Sequence, residues 1–292
     1  MHVLGIGVAT LDMIDTLASY PDEDTEQRAL ERRYSLGGNT ANTLTVLRQL
    51  GEQCSWAGTL AGDQAARQVL AGLESRGIDC RWAERHPAGA TPMSHILHNR
   101  SNGSRTIVHY RDLPELSVEA FGAIELTPFD WLHFEARNIP ACEAMMTAAR
   151  RRHGRAPLSL EVEKERAGIE GLFPLADVLI FSHAYARSVG CQESPQGLFE
   201  RVRAANANAP LFCGWGESGA WLQVAEHPIL RLPAERQAQV IDTLSAGDVF
   251  NAGIIHGLLH GLEPAEALAQ AIALAGRKCG RQGLDGLVSG DA

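Results

Sequence analysis

Strand-like and helix-like segments alternate along almost the whole of this chain, and this alternation constrains its fold more than any other feature. Residues 3–9, "VLGIGVA", form a continuous apolar run that is typical of a central parallel strand. A helical pattern follows from Asn39 to about Leu50, and a second one runs from Asp63 to Arg76. Further strand and helix patterns follow at 131–136, 140–152, 157–163, 176–182, 195–206 and 209–216, and two helices close the chain. Repeated βα units of this kind predict an α/β fold with a mostly parallel sheet covered on both faces.

Two segments interrupt this rhythm, at about 12–36 and 91–111. The first is polar and extended in character, and the second, "TPMSHILHNRSNGSRTIVHYR", predicts a β-hairpin around "SNGS". Together they predict a small antiparallel sheet attached to the main domain, either as a lid over a site or as a dimer surface. Since neither an internal repeat nor a low-complexity linker is visible, residues 1–292 are expected to form one domain that carries this lid.

The composition excludes several classes of protein. A net charge of -9 argues against nucleic acid or an anionic membrane as partner, although an anionic small ligand stays open. The six cysteines never form a C-x-x-C pair, which argues against a structural zinc site and is typical of reduced thiols in a cytoplasmic protein. Residues 1–16 predict a buried strand rather than a signal peptide, and the alanine-rich stretch at 264–276 is too short and polar to span a bilayer.

The stretch "IDTLSAGDVFNAG", residues 241–253, places small residues directly before a helical pattern. The first turn of a helix offers unpaired N–H groups and the positive end of the macrodipole, so Ser245, Ala246 and Gly247 would let a phosphate approach the backbone. Asp248 would lie beside that phosphate, where it could take a proton from an attacking hydroxyl. Taken alone, the pattern is more often that of a helix that Asp248 simply caps.

A glycine pair precedes the first helical pattern in "SLGGNTANTLTVLRQLG", residues 35–51. Asn39 is a candidate N-cap, and Asn39 and Asn42 share one helix face, from which their amides could bind a polyhydroxy ligand. A cap followed by a solvated asparagine would give the same pattern. Asp12 comes directly after a central apolar strand, whose carboxyl end points toward the usual ligand crevice of α/β sheets. Because burying an unpaired carboxylate is costly, a ligand hydroxyl is its expected partner.

Three further segments carry candidate ligands, each with an ordinary alternative. Arg105 follows the hairpin turn and is either solvated or a mobile guanidinium that reaches a triphosphate. In "SLEVEK", Glu161 and Glu163 share one face of a strand and could organise the water shell of Mg²⁺, although a charged surface at a sheet edge is an equal alternative. The glycine-spaced "GWGESGA", residues 214–220, suits close contact with a nucleotide, and a plain hairpin turn would look similar.

Taken in order, these motifs resemble those of the ribokinase-like (PfkB) carbohydrate kinases over nearly the whole chain. "GGNTAN" and "DTLSAGDVFNAG" are similar to the two family signatures, and "GSRTI", "HFEARN", "SLEVEKER" and "AGRKCGRQGLDGLV" look most similar to the ketohexokinase branch. The resemblance implies a doubly wound sheet with a small β-sheet lid, and a homodimer in which the lids interlock. It also implies ATP and Mg²⁺, and K⁺ activation occurs in the family, although no residue of this chain predicts it.

The resemblance also assigns roles, position by position. Asp248 would be the general base, and Ser245, Ala246 and Gly247 would complete the anion hole with it. The sugar hydroxyls would be held by Asp12, Gly38, Asn39 and Asn42. Arg105 would reach the ATP phosphates, and the nucleotide would be lined by Gly216, Glu217, Ser218 and Gly219. The metal ligands stay unassigned, with Glu161 and Glu163 as candidates that would act through water.

Three positions depart from the family pattern. Ser245 and Ala136 each replace a common glycine, and a serine at 245 raises the question whether that backbone can adopt the anion-hole geometry. Where many members carry an N-x-x-E element for the metal water shell, this chain reads "SHAY", residues 182–185. Ketohexokinases also lack that element, so the departure favours their branch and leaves the metal site open.

The sequence thus predicts an ATP-dependent kinase that transfers the γ-phosphoryl group of MgATP to the 1-hydroxyl of a ketohexose such as D-fructose. One alternative is another ribokinase-like kinase, acting on a different sugar, a sugar acid or a nucleoside. A second alternative is a non-catalytic sugar sensor on the same fold, against which the intact Asp248, Asn39 and Asn42 argue. A phosphosugar substrate is disfavoured because no extra basic cluster is evident near the sugar-site motifs.

Overall fold

A nine-stranded sheet forms the centre of the part of the chain that the structure, a computed structural model, describes: residues 1–235 and 237–288. In chain order its strands are β1 (His2–Ile6), β4 (Gln53–Ala57), β6 (Ile78–Asp79), β10 (Trp131–Glu135), β11 (Leu158–Val162), β12 (Val178–Phe181), β13 (Leu211–Gly214), β14 (Ala220–Gln223) and β15 (Leu230–Leu232). Their order across the sheet is β15-β14-β13-β12-β11-β10-β1-β4-β6. The strands from β6 to β13 are parallel, and β14 and β15 are antiparallel additions at one edge.

Helices cover both faces of this sheet, which confirms the predicted doubly wound α/β architecture. They are α1 (Asn39–Gln49), α2 (Gln64–Ser75), α3 (Val118–Gly122), α4 (Ile139–Arg152), α5 (His183–Ser188), α6 (Gln196–Ala205), α7 (Ala246–Leu259) and α8 (Pro264–Cys279). None of the helices in the described ranges has both the length and the hydropathy that crossing a bilayer requires.

The strand sequences explain why both faces are covered. In β12, Leu179 and Phe181 join the core beneath α4 and α6, whereas Val178 and Ile180 join the core beneath α1, α7 and α8. Successive side chains of a strand point to opposite faces, so a continuous apolar run needs an apolar layer on each side. The uninterrupted apolar strands that the sequence shows are therefore buried by helices from both sides.

A separate four-stranded sheet, the small sheet, consists of β2 (Thr10–Leu17), β3 (Glu31–Gly37), β8 (Ala90–Asn99) and β9 (Arg105–Asp112), in the order β3-β2-β8-β9. The hairpin expected around "SNGS" is formed by β8 and β9. The expectation of an antiparallel sheet is wrong for the central pair, because β2 and β8 are parallel. They are joined by a long crossover through α1 and α2 rather than by a tight turn, and only such a crossover can connect parallel strands. A two-stranded sheet, β5 (Thr59–Ala61) with β7 (Glu84–His86), lies between these elements in sequence.

Candidate active site

The candidate site lies at the carboxyl edge of the central sheet, beside the first turns of α1 and α7. Glu135 is the last residue of β10, Glu161 lies near the end of β11, and Glu163 follows that strand directly. Because β10 and β11 are parallel, their carboxyl ends bring these carboxylates to the same edge. α1 and α7 pack against each other and deliver Asn42 and Asp248 to it.

The first turn of α7 is built as the sequence suggests, with one correction. The helix begins at Ala246, its N-cap is Ser245, and Asp248 is the third helical residue rather than the cap. Ser245 makes no side-chain capping bond, and within the described residues a Cβ at Gly247 would meet nothing within 4 Å. The open surface above this turn therefore suits an anion held by backbone N–H groups and the helix dipole.

Ser245, which stands where the family commonly has glycine, adopts a backbone conformation that favours glycine. Its φ of 65° and ψ of 9° lie in the left-handed region, which costs a residue with a Cβ roughly 1–2 kcal/mol relative to glycine. The side-chain amide of Asn42 donates a 2.9 Å hydrogen bond to Oγ of Ser245, which anchors the strained residue. A serine at this position therefore keeps the local geometry and gains a contact that glycine would lack.

Two asparagines of α1 donate hydrogen bonds to two carboxylates of the site. Nδ2 of Asn42 donates to Oδ2 of Asp248 at 2.8 Å, and Nδ2 of Asn39 donates to Oε1 of Glu161 at 3.1 Å. Asn39 is not the N-cap of α1, which is a correction, because Gly38 takes that position with a φ of 96°. A Cβ on Gly38 would lie 2.5 Å from the carbonyl oxygen of Val8, so only glycine allows this approach.

Burial and mutual repulsion raise the pKa values of two of these carboxyls. Asp248 and Glu161 are each only 7% exposed, and burial raises the pKa of both well above the usual range. The negative charges of Glu135 and Glu163 raise both pKa values further, and Asp248 does the same to Glu161. The hydrogen bond from Asn42 opposes this and lowers the pKa of Asp248. A buried carboxylate with a raised pKa beside an anion-binding turn is suited to accept a proton from a hydroxyl.

Glu161 and Glu163 differ from their predicted placement. Because β11 lies between β10 and β12, Glu161 does not belong to a charged sheet edge, and its Oε2 is buried without a hydrogen-bond partner among the described residues. Glu163 lies beyond the strand and is partly exposed. A carboxylate oxygen without a partner, surrounded by further carboxylates, suits a hard divalent cation, because such ions prefer oxygen ligands. The ion would also relieve the repulsion between the carboxylates.

Glu135 is a site residue for which the sequence predicted no role. Its Oε2 accepts hydrogen bonds from the backbone N–H of Val8 at 2.9 Å and from Oγ1 of Thr40 at 3.1 Å, and its Oε1 accepts one from Arg137. Glu135 thus ties β10 to the start of α1 and to the segment after β1. The signal was a charged residue ending the apolar run "WLHFE", the same signal that drew attention to the glutamates of "SLEVEK".

Asp12 lies elsewhere than the sequence indicated. β1 ends at Ile6, and Asp12 belongs to β2 of the small sheet, opposite Ser35 and Ser94. Its carboxylate is buried and accepts a 2.8 Å hydrogen bond from Oγ1 of Thr10, so it is not unpaired. Burial raises its pKa all the same.

Arg105 begins β9 of the small sheet and reaches the loop before α7. Its Nη1 donates a 2.6 Å hydrogen bond to Oγ1 of Thr243, two residues before Ser245. This contact places an exposed guanidinium next to the anion-binding turn.

The turn between β13 and antiparallel β14 consists of Gly216, Glu217, Ser218 and Gly219. It is the plain hairpin that the sequence allowed as an alternative to a nucleotide-binding loop. The turn follows the carboxyl end of β13, so it lies on the same edge of the sheet as the glutamates.

A cleft of about 590 Å³ opens between the small sheet, α1, α2 and the loop before α7. It brings together Asp12, Asn42 and Ser245, which the sequence had assigned to one site. The cleft is also lined by Arg33, Arg76 and Lys278, a basic group that is invisible in the sequence because three distant segments supply it. Arg76 and Lys278 are already paired, with Asp285 and Asp242, so much of this charge is neutralised.

Comparison with known proteins identifies the family to which this chain belongs. Residues 3–288 match the sequence pattern of the family described as "pfkB family carbohydrate kinase". Ketohexokinase from Mus musculus is 38% identical over 297 aligned residues, which cover 98% of this chain and 99% of the mouse protein. Arabidopsis thaliana ribokinase, solved with ribose and ATP, superposes with a TM-score of 0.79 at 18% identity and covers 99% of each chain. Ribokinase from Cryptococcus neoformans, solved with ADP, gives 0.76 at 19% identity and covers 98% of this chain and 96% of its own. The chain belongs to the pfkB family of carbohydrate kinases.

Proposed function

We propose that this kinase transfers the γ-phosphoryl group of MgATP to the 1-hydroxyl of a ketohexose such as D-fructose, with Asp248 as general base. The observation that carries the proposed base is the position of Asp248, a buried carboxyl of raised pKa in the first turn of α7. The choice of a ketohexose rests on the 38% identity to a ketohexokinase along the full length of both chains.

In this mechanism the oxygen of the sugar hydroxyl would attack the γ-phosphorus of ATP while its proton passes to Asp248. The bond between the γ-phosphorus and the β,γ-bridging oxygen would break, and ADP would leave. Backbone N–H groups of the first turn of α7 would receive the negative charge that develops on the phosphoryl oxygens, and Arg105 would add a positive charge from the small sheet. The contact of Arg105 with Thr243 supports that role, because it keeps the guanidinium beside the turn. Asp12, Gly38, Asn39 and Asn42 would position the sugar, and the turn Gly216–Gly219 would contact the nucleotide.

Glu161, with Glu163, would hold Mg²⁺ through water, and the ion would neutralise phosphate charge in the transition state. The unpartnered buried oxygen of Glu161 supports this assignment. K⁺ as an activating ion is a further part of the proposal, and replacing KCl by tetramethylammonium chloride in the kinase assay tests it. A reaction rate that does not depend on K⁺ would remove that part.

The small sheet is proposed to act both as a lid and as a dimer surface. Strands β3 and β9, together with the residue directly before β3, expose five large apolar side chains. Each of them is between 47% and 63% exposed: Leu30, Tyr34, Ile107, Val108 and Tyr110. Exposed apolar side chains on edge strands such as β3 and β9 favour association. Light scattering would test this, with a dimer expected for the native chain and a monomer for Val108→Glu. A native chain that is monomeric at high concentration would contradict it.

The central experiment is a coupled ADP-release assay with D-fructose, other ketohexoses, D-ribose, a sugar acid and a nucleoside. The highest kcat/KM is expected with a ketohexose, and ³¹P NMR of the product is expected to show a phosphate ester at the 1-position. A higher kcat/KM with ribose or a nucleoside would contradict the proposed substrate. If calorimetry shows that a sugar binds but none of the substrates leads to ADP release, the result would instead favour a non-catalytic sugar sensor.

A further inference from the structure

Glu52, His256 and His260 form a compact cluster at the opposite ends of α1 and α7 from the candidate active site. Glu52 lies in the turn after α1, His256 in the last turn of α7, and His260 is the C-cap of α7. Nδ1 of His256 lies 2.8 Å, and Nε2 of His260 2.7 Å, from the same Oε1 of Glu52. The ligand atoms of these three side chains all lie within 4.8 Å of one another, close enough to bind one metal ion directly.

The chemistry of this cluster selects the ion. Two histidines four residues apart on a helix present both imidazoles to one ion, and a carboxylate completes a set of three ligands that suits Zn²⁺. Imidazole nitrogens favour Zn²⁺ over Mg²⁺, which prefers oxygen ligands and keeps its water. His260 is 48% exposed, so the ion can enter from solvent and keep a water as its fourth ligand.

The carboxylate is already oriented for this task. Glu52 is only 2% exposed, and its second oxygen, Oε2, lies 2.9 Å from the amino group of Met1. A buried carboxylate that already forms an ion pair through its other oxygen loses little freedom when it binds a metal ion. Zn²⁺ would replace the two hydrogen bonds on Oε1 and leave the contact with Met1 in place.

We propose that Glu52, His256 and His260 form a zinc site that ties the end of α1 to the end of α7. α7 contains 14 residues and therefore extends about 21 Å, so the ion would lie far from Asp248 at the other end of the same helix. The site would stabilise the packing of the two helices that carry Asn42 and Asp248. It would take no part in phosphoryl transfer.

The test is a titration of the nucleotide-free, chelator-treated protein with Zn²⁺ by calorimetry, and with Co²⁺ as a spectroscopic probe. We expect one saturable site, the visible absorption of four-coordinate Co²⁺, and a higher Tm with Zn²⁺. His260→Ala, which changes a half-exposed side chain and leaves the fold intact, should weaken Zn²⁺ binding at least about tenfold. His227→Ala removes an exposed histidine elsewhere and should bind Zn²⁺ as the native chain does.

Two results would overturn the proposal. One is the absence of saturable Zn²⁺ binding to the native chain, and the other is equal binding by the native chain and the double variant His256→Ala/His260→Ala. In the second case, loss of Zn²⁺ binding on addition of excess Mg²⁺ would place the ion among the active-site carboxylates. Kinase activity in Mg²⁺ buffer should be the same for His260→Ala and the native chain, so the zinc site and the proposed function fail separately.

Discussion

The side-chain amide of Asn42 donates a 2.8 Å hydrogen bond to Oδ2 of Asp248 and so joins the first turns of α1 and α7. The two residues are 206 positions apart in the chain. The same amide group contacts Ser245, the N-cap of α7. One side chain thus fixes both the anion-binding turn and the proposed base.

Removing the carboxylate of Asp248 tests the base directly. Asp248→Asn should lower kcat on the order of 10²–10⁴-fold, which is the usual contribution of a general base. The variant should fold, because the amide oxygen can still accept from Asn42 and a buried charge is lost. Coupled ADP release measures kcat, and calorimetric sugar binding is the control. Native activity in a folded variant would rule out the base role.

The hydrogen bond from Asn42 should set the pH range of activity. It lowers the pKa of Asp248, so Asn42→Ala should raise that pKa and move the acid limb of the kcat–pH profile to higher pH. The matched control is Asn39→Ala, which removes a hydrogen bond to Glu161 rather than to Asp248. That control should shift the acid limb little or toward lower pH. An acid limb unchanged in Asn42→Ala would contradict the proposed coupling.

Ionisation of the buried Glu161 should lower the free energy of unfolding at neutral pH. Because burial raises its pKa well above 4.5, its contribution to the free energy of unfolding is complete below about pH 4.5 and is lost as pH rises toward the folded-state pKa. Glu161→Gln cannot ionise, so its free energy of unfolding at pH 8 should be higher than that of the native chain. At pH 4 the two should be equal. Urea unfolding at both pH values measures this, and a less stable variant at pH 8 would contradict it.

Arg105 should matter for the nucleotide and not for the fold. Arg105→Ala should lower kcat/KM for ATP on the order of 10²-fold, the usual loss when one donor to a developing negative charge is removed. The control is Arg100→Ala, which removes an exposed arginine from the same hairpin. Steady-state kinetics with varied ATP concentration measures kcat/KM for ATP in both variants. Equal effects of both substitutions would show that the loss reflects net charge rather than the position of Arg105.

Lys278 should stabilise the loop that precedes the anion-binding turn. Its ammonium is buried, donates to the carbonyl oxygen of Asp242 at 2.8 Å and lies 3.1 Å from Oδ2 of the same residue. Lys278→Met would leave this partly buried carboxylate without its cation, which usually costs about 3–5 kcal/mol. Urea unfolding measures the loss, and Lys164→Met, at an exposed lysine, is the control. A change within the error of the control would show that Asp242 needs no cation.

Much of the fold could be predicted from local patterns in the sequence. The predicted helix from Asn39 to about Leu50 is observed at Asn39–Gln49, and the apolar run at 176–182 contains β12. These predictions succeed because the helix and strand periods are properties of neighbouring residues. The N-caps were predicted less accurately, since the N-cap of α1 is Gly38 rather than Asn39 and that of α7 is Ser245 rather than Asp248. Their positive φ values depend on contacts with Val8 and Asn42, which are distant in the chain.

The sequence by itself determined the order of the elements, the glycines and small residues that open the turns, and which residue types were available for chemistry. The tertiary structure alone decided which of these residues meet. It placed Asp12 on the small sheet, paired Asn39 with Glu161 and Asn42 with Asp248, and made Glu135 an anchor for α1. The reason is physical: contacts between side chains 95 or more residues apart depend on strand order and helix packing. The pKa of a carboxyl depends on its burial and on the charges that the fold brings near it.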